Sequence, residues 1–356
     1  MMTNYIIKTK FTPLPSNISY WWNMGSLLGL CLSIQILSGI FLSLMYNNDA
    51  SHSFDSIIHT MNNINMGWLI RFIHANGASM FFLTMYLHIG RNIYFKSYNL
   101  KYVWISGFMS LLTLFATSFL GYVLPWGQMS YWGATVITNL MSSIPYAGET
   151  LTMWVWGSYS VSKPTLSRFF SIHFILPFIL LLLSSIHIIF LHNKQSSNPL
   201  GISHYDKIPF HPFFSWKDIF GIFITLTMLM TLCTTYPYIF MDPDNFTEAN
   251  PLNTPPHIQP EWYFLFAYSI LRVIPNKLGG VLALLSSIFI LAILPLIQYN
   301  PVMNPAIYKT LFKYSFFMWS WNFILLTMLG SAPIEPPFSN LSIISGTLYF
   351  VFFMLL

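Results

Sequence analysis

Charged side chains are scarce in this chain of 356 residues. It has 15 lysines and arginines and 10 aspartates and glutamates, so only 7% of the residues are charged. In soluble globular domains about a quarter of the residues are charged. Hydrophobic residues make up 55% of the chain, and its mean hydropathy is +0.59. This composition excludes a water-soluble globular domain and predicts a polytopic membrane protein.

Cysteine is also scarce. The two cysteines, Cys31 and Cys233, lie in apolar segments far apart in the sequence. They form no CxxC or CxxCH motif, which argues against a zinc site and against covalent haem attachment. The chain also lacks the Cys and His cluster that an iron–sulfur centre requires. Both cysteines are therefore interpreted as packing residues.

Long apolar stretches, by contrast, are abundant. A run of 18 or more nearly uncharged residues can cross a bilayer as a helix. Seven clear candidates and one shorter C-terminal candidate are present, at residues 22–46, 72–94, 103–125, 166–191, 216–240, 279–299, 310–330 and 341–356. The predicted fold is all-α, with eight transmembrane helices.

Basic residues are unevenly distributed between the two faces that eight spans define. The face with the N-terminus, here called the basic side, has two of the ten acids, Asp206 and Asp218. It has ten of the fifteen basic residues: Lys8, Lys10, Arg91, Lys96, Lys101, Lys194, Lys207, Lys217, Lys309 and Lys313. The positive-inside rule places this side in the cytoplasm or matrix. The net charge of +5 thus reports topology and gives no support to nucleic-acid binding.

Three connecting segments are informative. The loop at 195–215 is polar and contains Pro and Gly, and it predicts a boundary between two domains, residues 1–200 and 201–356. On the opposite face, here called the acidic side, residues 126–165 and 241–277 form two long loops. The first is predicted to contain short interfacial helices. Long loops in compact proteins are usually functional or disordered.

Paired residues recur at an interval of 14 in the first four spans. Histidines are paired in the second and fourth spans, and glycines in the first and third, as His74/His88, His173/His187, Gly25/Gly39 and Gly107/Gly121. Fourteen helical residues span about 21 Å and fall about 40° short of four turns, so both members of a pair face nearly the same way. The first four spans therefore resemble a four-helix bundle with two ligand levels.

These levels predict two haem sites. In an up-and-down bundle, His74 lies level with His173 near the acidic side, and His88 lies level with His187 near the basic side. Neutral imidazoles are common axial ligands of haem iron, and glycine leaves room for a porphyrin edge. The alternatives are histidines that hydrogen-bond neighbouring helices and glycines that serve helix packing.

Arg71 and Arg91 lie three residues before His74 and three after His88. Each is near a span end, where it could pair with a haem propionate. The alternative is that both side chains extend to the lipid headgroups.

Five segments together resemble the mitochondrial cytochrome b family, the haem-carrying core of ubiquinol–cytochrome c reductase (bc1, complex III). They are SLLGLCLSIQILSG, RFIHANGASMFFLTMYLHIGR, GYVLPWGQMSYWGATVITN, RFFSIHFILPFILLLLSSIHIIFLH and PEWYFLFAYSILRVIPNKLGG. The resemblance extends over essentially the whole chain. It implies an N-terminal di-haem domain and a C-terminal domain with the PEWY loop. It also implies two non-covalent b-type haems, a low-potential haem on His74/His173 and a high-potential haem on His88/His187.

The resemblance also implies a quinol-oxidation site on the acidic side. Glu261 of the PEWY segment would accept or relay a quinol proton, with Tyr263 beside it. The remaining residues that this resemblance assigns to the pocket are Pro260, Tyr122, Met129, Gly133, Val136 and Ile137, and it also assigns Gln35 to cofactor binding.

A quinone-reduction site is implied on the basic side. His192 and Asp218 match the quinone-binding His and Asp of the family, and supporting polar groups would come from Lys217, Ser196 and Asn23. The family commonly has Glu-Thr-Gly after the first of these; here the residues are Asn193, Lys194 and Gln195, which add a positive charge near that site.

The implied activity is a Q cycle. One quinol electron would go to a Rieske iron–sulfur protein and then to cytochrome c1, and the other would cross both haem levels to ubiquinone on the basic side. The implied setting is a homodimer, with other complex III subunits, in the bilayer of the mitochondrial inner membrane, with the N-terminus in the matrix. Two alternatives remain: a cytochrome b6-type plastoquinol subunit, disfavoured by the fused chain and the 14-residue interval, and a haem-free proton-coupled transporter.

Overall fold

The computed structural model describes residues 11–201, 206–297 and 310–355. Lys8, Lys10 and Lys309, which contribute to the charge asymmetry, lie outside these ranges. Within them the chain forms twelve α-helices: α1 (Met24–Ser43), α2 (Ser53–Asn63), α3 (Gly67–Tyr94), α4 (Lys101–Val123), α5 (Gln128–Thr138), α6 (Gly148–Trp156), α7 (Lys163–Lys194), α8 (Phe210–Thr235), α9 (Leu265–Val273), α10 (Lys277–Ile297), α11 (Thr310–Ser331) and α12 (Phe338–Leu355).

Each of the eight predicted spans lies on a long helix. Helices α1, α4, α7, α8 and α10 are long and apolar enough to cross a membrane. Helices α3 and α11 have 28 and 22 residues and are also long enough; α3 is less apolar because it carries the histidines and arginines noted above. Helix α12 has 18 residues and begins three residues before the predicted span. The prediction of an all-α polytopic membrane fold is confirmed.

Short helices fill the acidic-side connections. Helices α5 and α6 lie in the first long loop, as predicted. Helices α2 and α9 were not predicted, because 11 and 9 residues are too few to stand out as apolar runs beside their longer neighbours. Helix α9 packs against α10, α11 and α12. Much of the acidic-side surface is thus built from helices too short to span.

The first four spans pack in pairs, α1 against α3 and α4 against α7. This pairing sets each helix with two glycines beside a helix with two histidines. The largest apolar core joins α3 and α4 to the later helices, and Phe82, fully buried, stacks on Tyr263 with ring centres 3.9 Å apart. The bundle and the PEWY segment therefore share one core.

A small sheet closes the basic side. Strand β1 (Pro13–Pro15) pairs antiparallel with β2 (Lys207–Pro209), with Leu14 opposite Ile208. The Ser16 hydroxyl donates to the Asp206 carboxylate at 2.5 Å. The sheet holds the segment before α1 against the start of α8, where several predicted site residues lie.

Candidate functional site

Helices α3 and α7 bring the four histidines together in two pairs. The ring centres of His74 and His173 are 6.3 Å apart, and those of His88 and His187 are 6.4 Å apart. A transition metal binds an imidazole nitrogen at about 2.0 Å, so two imidazoles that share one metal ion place their ring centres roughly 6 Å apart. Each pair therefore leaves a gap that fits one metal ion between the two rings.

Serine hydroxyls orient two of these imidazoles. The Ser38 hydroxyl donates to the Ile34 carbonyl at 2.6 Å and lies 2.9 Å from Nδ1 of His74. Because the hydroxyl proton is already used, its oxygen accepts from Nδ1–H of the histidine. Ser106, which donates to the Tyr102 carbonyl, is placed in the same way at 3.0 Å from Nδ1 of His187. Nε2 of each ring is then left without a proton and is free to bind a metal.

The other two histidines differ from each other. Nδ1 of His173 lies 2.8 Å from the Thr117 carbonyl, which can only accept, so this ring also carries its proton on Nδ1. Nδ1 of His88 is buried and has no hydrogen-bond partner within the described chain. Three of the four rings are thus held in the tautomer that an Nε2 metal ligand needs.

Each of the four paired glycines faces one histidine ring. A methyl group on Gly25 would lie 3.7 Å from the nearest ring carbon of His88. The same distance would be 3.1 Å for Gly39 and His74 and 3.1 Å for Gly107 and His187. On Gly121 the methyl group would overlap the His173 ring. Helices α1 and α4 therefore approach the imidazoles closely. At Gly39, Gly107 and Gly121 a larger residue would crowd the ring, whereas a methyl group at Gly25 would make an ordinary contact.

One cavity of about 410 Å³ lies at the acidic-side level. It adjoins both the His74/His173 pair and the PEWY segment. Predicted site residues that line it are His74, His173, Gly39, Gly121, Gln35, Arg71, Tyr122, Glu261 and Tyr263, and it is also lined by Asp242 and Asn245. An ionisable carboxyl group and a pair of imidazoles thus line one cavity.

The PEWY segment is fixed to α3 by three contacts. The Trp262 indole donates to the Ser79 hydroxyl at 3.1 Å, the Tyr86 hydroxyl donates to the Tyr263 carbonyl, and the Tyr263 ring stacks on Phe82 as described above. These contacts hold the preceding residue, Glu261, at the wall of the cavity. Its carboxyl is therefore presented by a rigid support, which proton transfer at a defined distance requires.

The environment of Glu261 favours its neutral form. Burial raises the pKa of this carboxyl to about 7; the Tyr122 hydroxyl and the positive charge of Arg71 oppose that rise, and the negative charge of Asp242 adds to it. A carboxyl group with a pKa near neutrality can take up and release a proton under ordinary conditions.

The residues of α5 that were predicted to form the quinol pocket do not line this cavity. Met129 is buried, and neither it nor Gly133, Val136, Ile137 or Pro260 is among the residues that line the 410 Å³ cavity. Of the predicted pocket walls, only Tyr122 lies there with the PEWY carboxylate and tyrosine.

The start of α5 is nevertheless bound to the second long loop. The Ser130 amide donates to the Asn245 side-chain oxygen at 2.8 Å, and the Gln128 side chain donates to the Asn253 carbonyl at 3.0 Å. Asn245 also lines the cavity. The α5 segment therefore supports one wall of the cavity through this asparagine.

On the basic side, Asp218 is the centre of a hydrogen-bond cluster. Its Oδ1 accepts from the Asn23 amide at 2.8 Å and from the Ser26 hydroxyl at 2.7 Å. The neighbouring Lys217 donates to the Ile18 carbonyl at 2.7 Å. This arrangement joins the start of α1 to α8 through one carboxylate oxygen of Asp218.

His192 and Ser196 lie apart from this cluster. His192 is exposed near the end of α7 and Ser196 is half-buried, and none of the described contacts joins either of them to Asp218. Closer to the cluster, the Trp22 indole donates to the Ser197 carbonyl at 2.9 Å, and the Arg91 guanidinium lies 5.0 Å from the centre of the Trp22 ring. The structure thus assembles Asn23, Lys217 and Asp218, and not the histidine.

The sequence analysis missed the residues that support these groups. Ser38 and Ser106 directly precede Gly39 and Gly107, so a repeated Ser-Gly pair was a usable signal. Ser26 and Asn245 had no such signal, since nothing in their local sequence relates them to partners more than 100 residues away. Asp242 also had none, although its partner Gln259 is only 17 residues away.

No group of three or more His, Cys, Asp and Glu side chains that could hold a bare metal ion occurs in the described ranges. Each histidine pair supplies two nitrogens only. A metal ion held there needs further ligands from outside the chain, which the four nitrogens of a porphyrin provide.

Comparisons with known proteins agree with this geometry. The family described as cytochrome b/b6/petB matches residues 9–195, and the one described as cytochrome b(C-terminal)/b6/petD matches residues 248–350. A solved structure titled "Hyperthermophilic respiratory Complex III" includes a similar chain, with a TM-score of 0.94 and 35% sequence identity over 99% of this chain and 95% of that one. This chain belongs to the cytochrome b family, the membrane-embedded haem b subunits that serve quinol-linked electron transfer in complexes of the bc1 and b6f type.

Proposed function

We propose that this chain oxidises ubiquinol in the acidic-side cavity and reduces quinone at the basic side, as the haem-bearing subunit of a bc1 complex. The observation that carries the proposal is the shared cavity, which adjoins Glu261, Tyr263 and the His74/His173 pair. A quinol held there would have a proton acceptor and an electron acceptor within one space.

The histidine pairs fit two non-covalent b-type haems. The ring separations of 6.3 and 6.4 Å, the Nδ1–H tautomers and the facing glycines all suit bis-imidazole ligation. When bound, such haems carry single electrons between the two faces of the membrane. Arg71 and Arg91, which are partly buried, would balance the propionate charges. The buried Nε2 of Gln35 has no partner in the described part of the chain and would donate a hydrogen bond to the acidic-side haem.

At the oxidation site, the protein's part is proton acceptance and exclusion of water. Glu261 would take one proton from the bound quinol in its ionised form, with the Tyr122 hydroxyl steadying the carboxylate. Tyr263 would close the wall by its stack on Phe82. The residues Pro260, Met129, Gly133, Val136 and Ile137 would contact the remainder of the substrate beyond the described cavity.

At the reduction site, Asp218 would deliver a proton to quinone. Asn23 and Ser26 hold one oxygen of its carboxylate, and Lys217, next in the sequence, would supply positive charge. His192 and Ser196 would approach from the end of α7. Lys194, exposed on the same segment, would attract the negative charge that develops during reduction.

The wider setting is also a proposal. Residues 1–200 would form the di-haem unit and residues 201–356 the unit with the PEWY loop. The chain would work as a homodimer with a Rieske iron–sulfur protein, cytochrome c1 and other complex III subunits. A location in the mitochondrial inner membrane with the N-terminus in the matrix is supported by the excess of basic residues on one side and by the mitochondrial sequence resemblance.

A reduced-minus-oxidised absorption spectrum of the purified complex tests the proposal. Two b-type haems per chain, both reduced by added ubiquinol, are the expected result. A preparation with no haem absorbance would refute it and would favour a proton-coupled transporter. Haem bands that remain oxidised in the presence of ubiquinol would refute the quinol-oxidising role while leaving the family membership intact.

Replacement of Gly121 by alanine should weaken haem retention at the acidic-side pair. The added methyl group would overlap the His173 ring, and overpacking of this kind costs about 1–3 kcal/mol, equivalent to a roughly five- to 150-fold rise in the haem dissociation constant. The measurement is haem loss to a scavenger protein, followed by absorbance.

The matched control is Gly25→Ala. Its methyl group would lie 3.7 Å from the nearest His88 ring carbon, an ordinary van der Waals distance, so haem loss should stay close to that of the unmodified chain. Equal effects of the two alanines would show that the glycines serve general helix packing only.

A further inference from the structure

A second carboxylate, Asp242, lines the same cavity as Glu261. It is half-buried, so it borders both the cavity and the acidic-side surface. Its Oδ1 accepts from the Asp244 amide at 2.9 Å and thereby caps the short turn Pro243–Phe246. Its other oxygen, Oδ2, is left for a different partner.

That partner is Gln259, two residues before Glu261. The Gln259 amide donates to Oδ2 of Asp242 at 3.3 Å. The side-chain oxygen of Gln259 is buried and finds no partner in the described chain, so it can accept from water or from a substrate hydroxyl. Gln259 thus links Asp242 to the loop segment that carries Glu261.

The two carboxyl groups also interact through their charges. Besides burial, which raises the pKa of Glu261 to about 7, the groups that act on this carboxyl are Tyr122, Asp242 and Arg71. Asp242 is the one negative neighbour among them and the only one that carries a carboxyl group. A proton that leaves Glu261 therefore has a second carboxylate on the wall of the same cavity.

We propose that Asp242 receives the proton that Glu261 takes from the quinol and releases it to water on the acidic side. The inference rests on the proposed function of the cavity. The step moves one proton from the Glu261 carboxyl to the Asp242 carboxylate and then to water; no electron and no other bond is involved. Gln259 acts as a positioning residue that holds the acceptor oxygen in place.

The test is the pH profile of ubiquinol oxidation by the assembled complex carrying Asp242→Asn. Asparagine retains a side-chain oxygen that can cap the turn but cannot bind the transferred proton. The rate on the high-pH plateau should fall about tenfold, a modest share of what general acid–base catalysis contributes. The part of the profile in which the rate rises with pH should also move to lower pH, because removal of a negative charge beside Glu261 lowers the pKa of that carboxyl.

Two controls isolate the relay. Glu248→Gln removes an exposed carboxylate of the same loop that does not line the cavity and should leave the profile unchanged. Asp242→Ser, which also preserves a capping oxygen, should reproduce the plateau loss. In a Glu261→Gln background, Asp242→Asn should add less than about a twofold effect, since residues on one path are not additive.

Several outcomes would overturn the relay. A shifted pH limb with an unchanged plateau would mean that Asp242 acts only through its charge, and a further tenfold loss in the Glu261→Gln background would place it on a separate path. Loss of the haem bands in both Asp242 variants would mark it as a structural residue. If Glu261→Gln itself turns over normally, the proposed function of the cavity fails; if Glu261→Gln is slow and Asp242→Asn is normal, only the relay fails.

Discussion

Replacement of His173 by leucine should remove one of the two b-type haems and reduce ubiquinol–cytochrome c reductase turnover to the background rate. Leucine fills a similar volume but supplies no nitrogen that could bind a haem iron, so His74 would be left as the single protein ligand at this level. Haem content per chain should fall by about half. The pyridine haemochrome assay measures this content, and the difference spectrum shows which band is lost.

The matching change on the basic side, His187→Leu, should remove the other band. Because the two pairs lie about 21 Å apart along the helices, each loss should leave the remaining haem spectrum intact. His59→Leu is the control: His59 lies on α2 and its described contact is with Asn63, so both bands should persist. Retention of both haems in either of the first two variants would refute the ligand assignment.

The supporting hydrogen bonds explain why histidine alone does not define these sites. Ser38, Ser106 and Thr117 each engage Nδ1 of one ring, so the ring orientation is set before a metal ion arrives. The remaining ring, His88, has a buried Nδ1 with no hydrogen-bond partner within the described chain. The two levels are therefore similar in their histidines and different in their support. In the proposed function, this difference would let the protein tune the two haems separately.

Two sequence patterns predicted the long-range architecture: long apolar runs and residues repeated at a fixed interval. Apolar runs located all eight long helices, because a bilayer selects for length and hydropathy. The 14-residue interval predicted that His74 lies level with His173 and His88 with His187, because residues at that spacing face nearly the same way along a helix. Helix ends were less certain: α3 begins at Gly67 and not near residue 72, because the helix includes an apolar first turn that the charged Arg71 separates from the predicted span.

The contacts between distant loops could not be predicted in this way. Asp218 on α8 meets Asn23 and Ser26 across more than 190 residues, and no local pattern relates this carboxylate to such partners. Helix α9 is short and amphipathic, and it is stabilised by packing against α10, α11 and α12, so its existence depends on tertiary contacts. The roles of Asp218 and His192 in quinone reduction therefore remain predictions, and the exposed position of His192 gives them no direct support.

Glu261→Gln should slow ubiquinol oxidation about 100-fold at neutral pH, the lower end of what a general base contributes, while both haem spectra are retained. Burial raises the pKa of this carboxyl to about 7, so below that pH it is protonated and cannot accept a proton from quinol. The unmodified complex should therefore show a rate that rises with pH and levels off above roughly pH 7 to 8. Glutamine cannot ionise, so the variant should lose this rising limb as well as its amplitude.

Glu261→Asp separates charge from position. Aspartate ionises but is one methylene shorter, so the carboxylate is drawn back from the cavity, away from the Tyr122 hydroxyl. We expect an intermediate rate and a rising limb that persists, which would distinguish a displaced base from an absent one. Stopped-flow reduction of the haems by ubiquinol, measured from pH 5 to 9, reports the oxidation step directly. If Glu261→Gln retained the pH dependence of the unmodified complex, the group that titrates would be a different one, and the cavity carboxylate would serve structure and not proton acceptance.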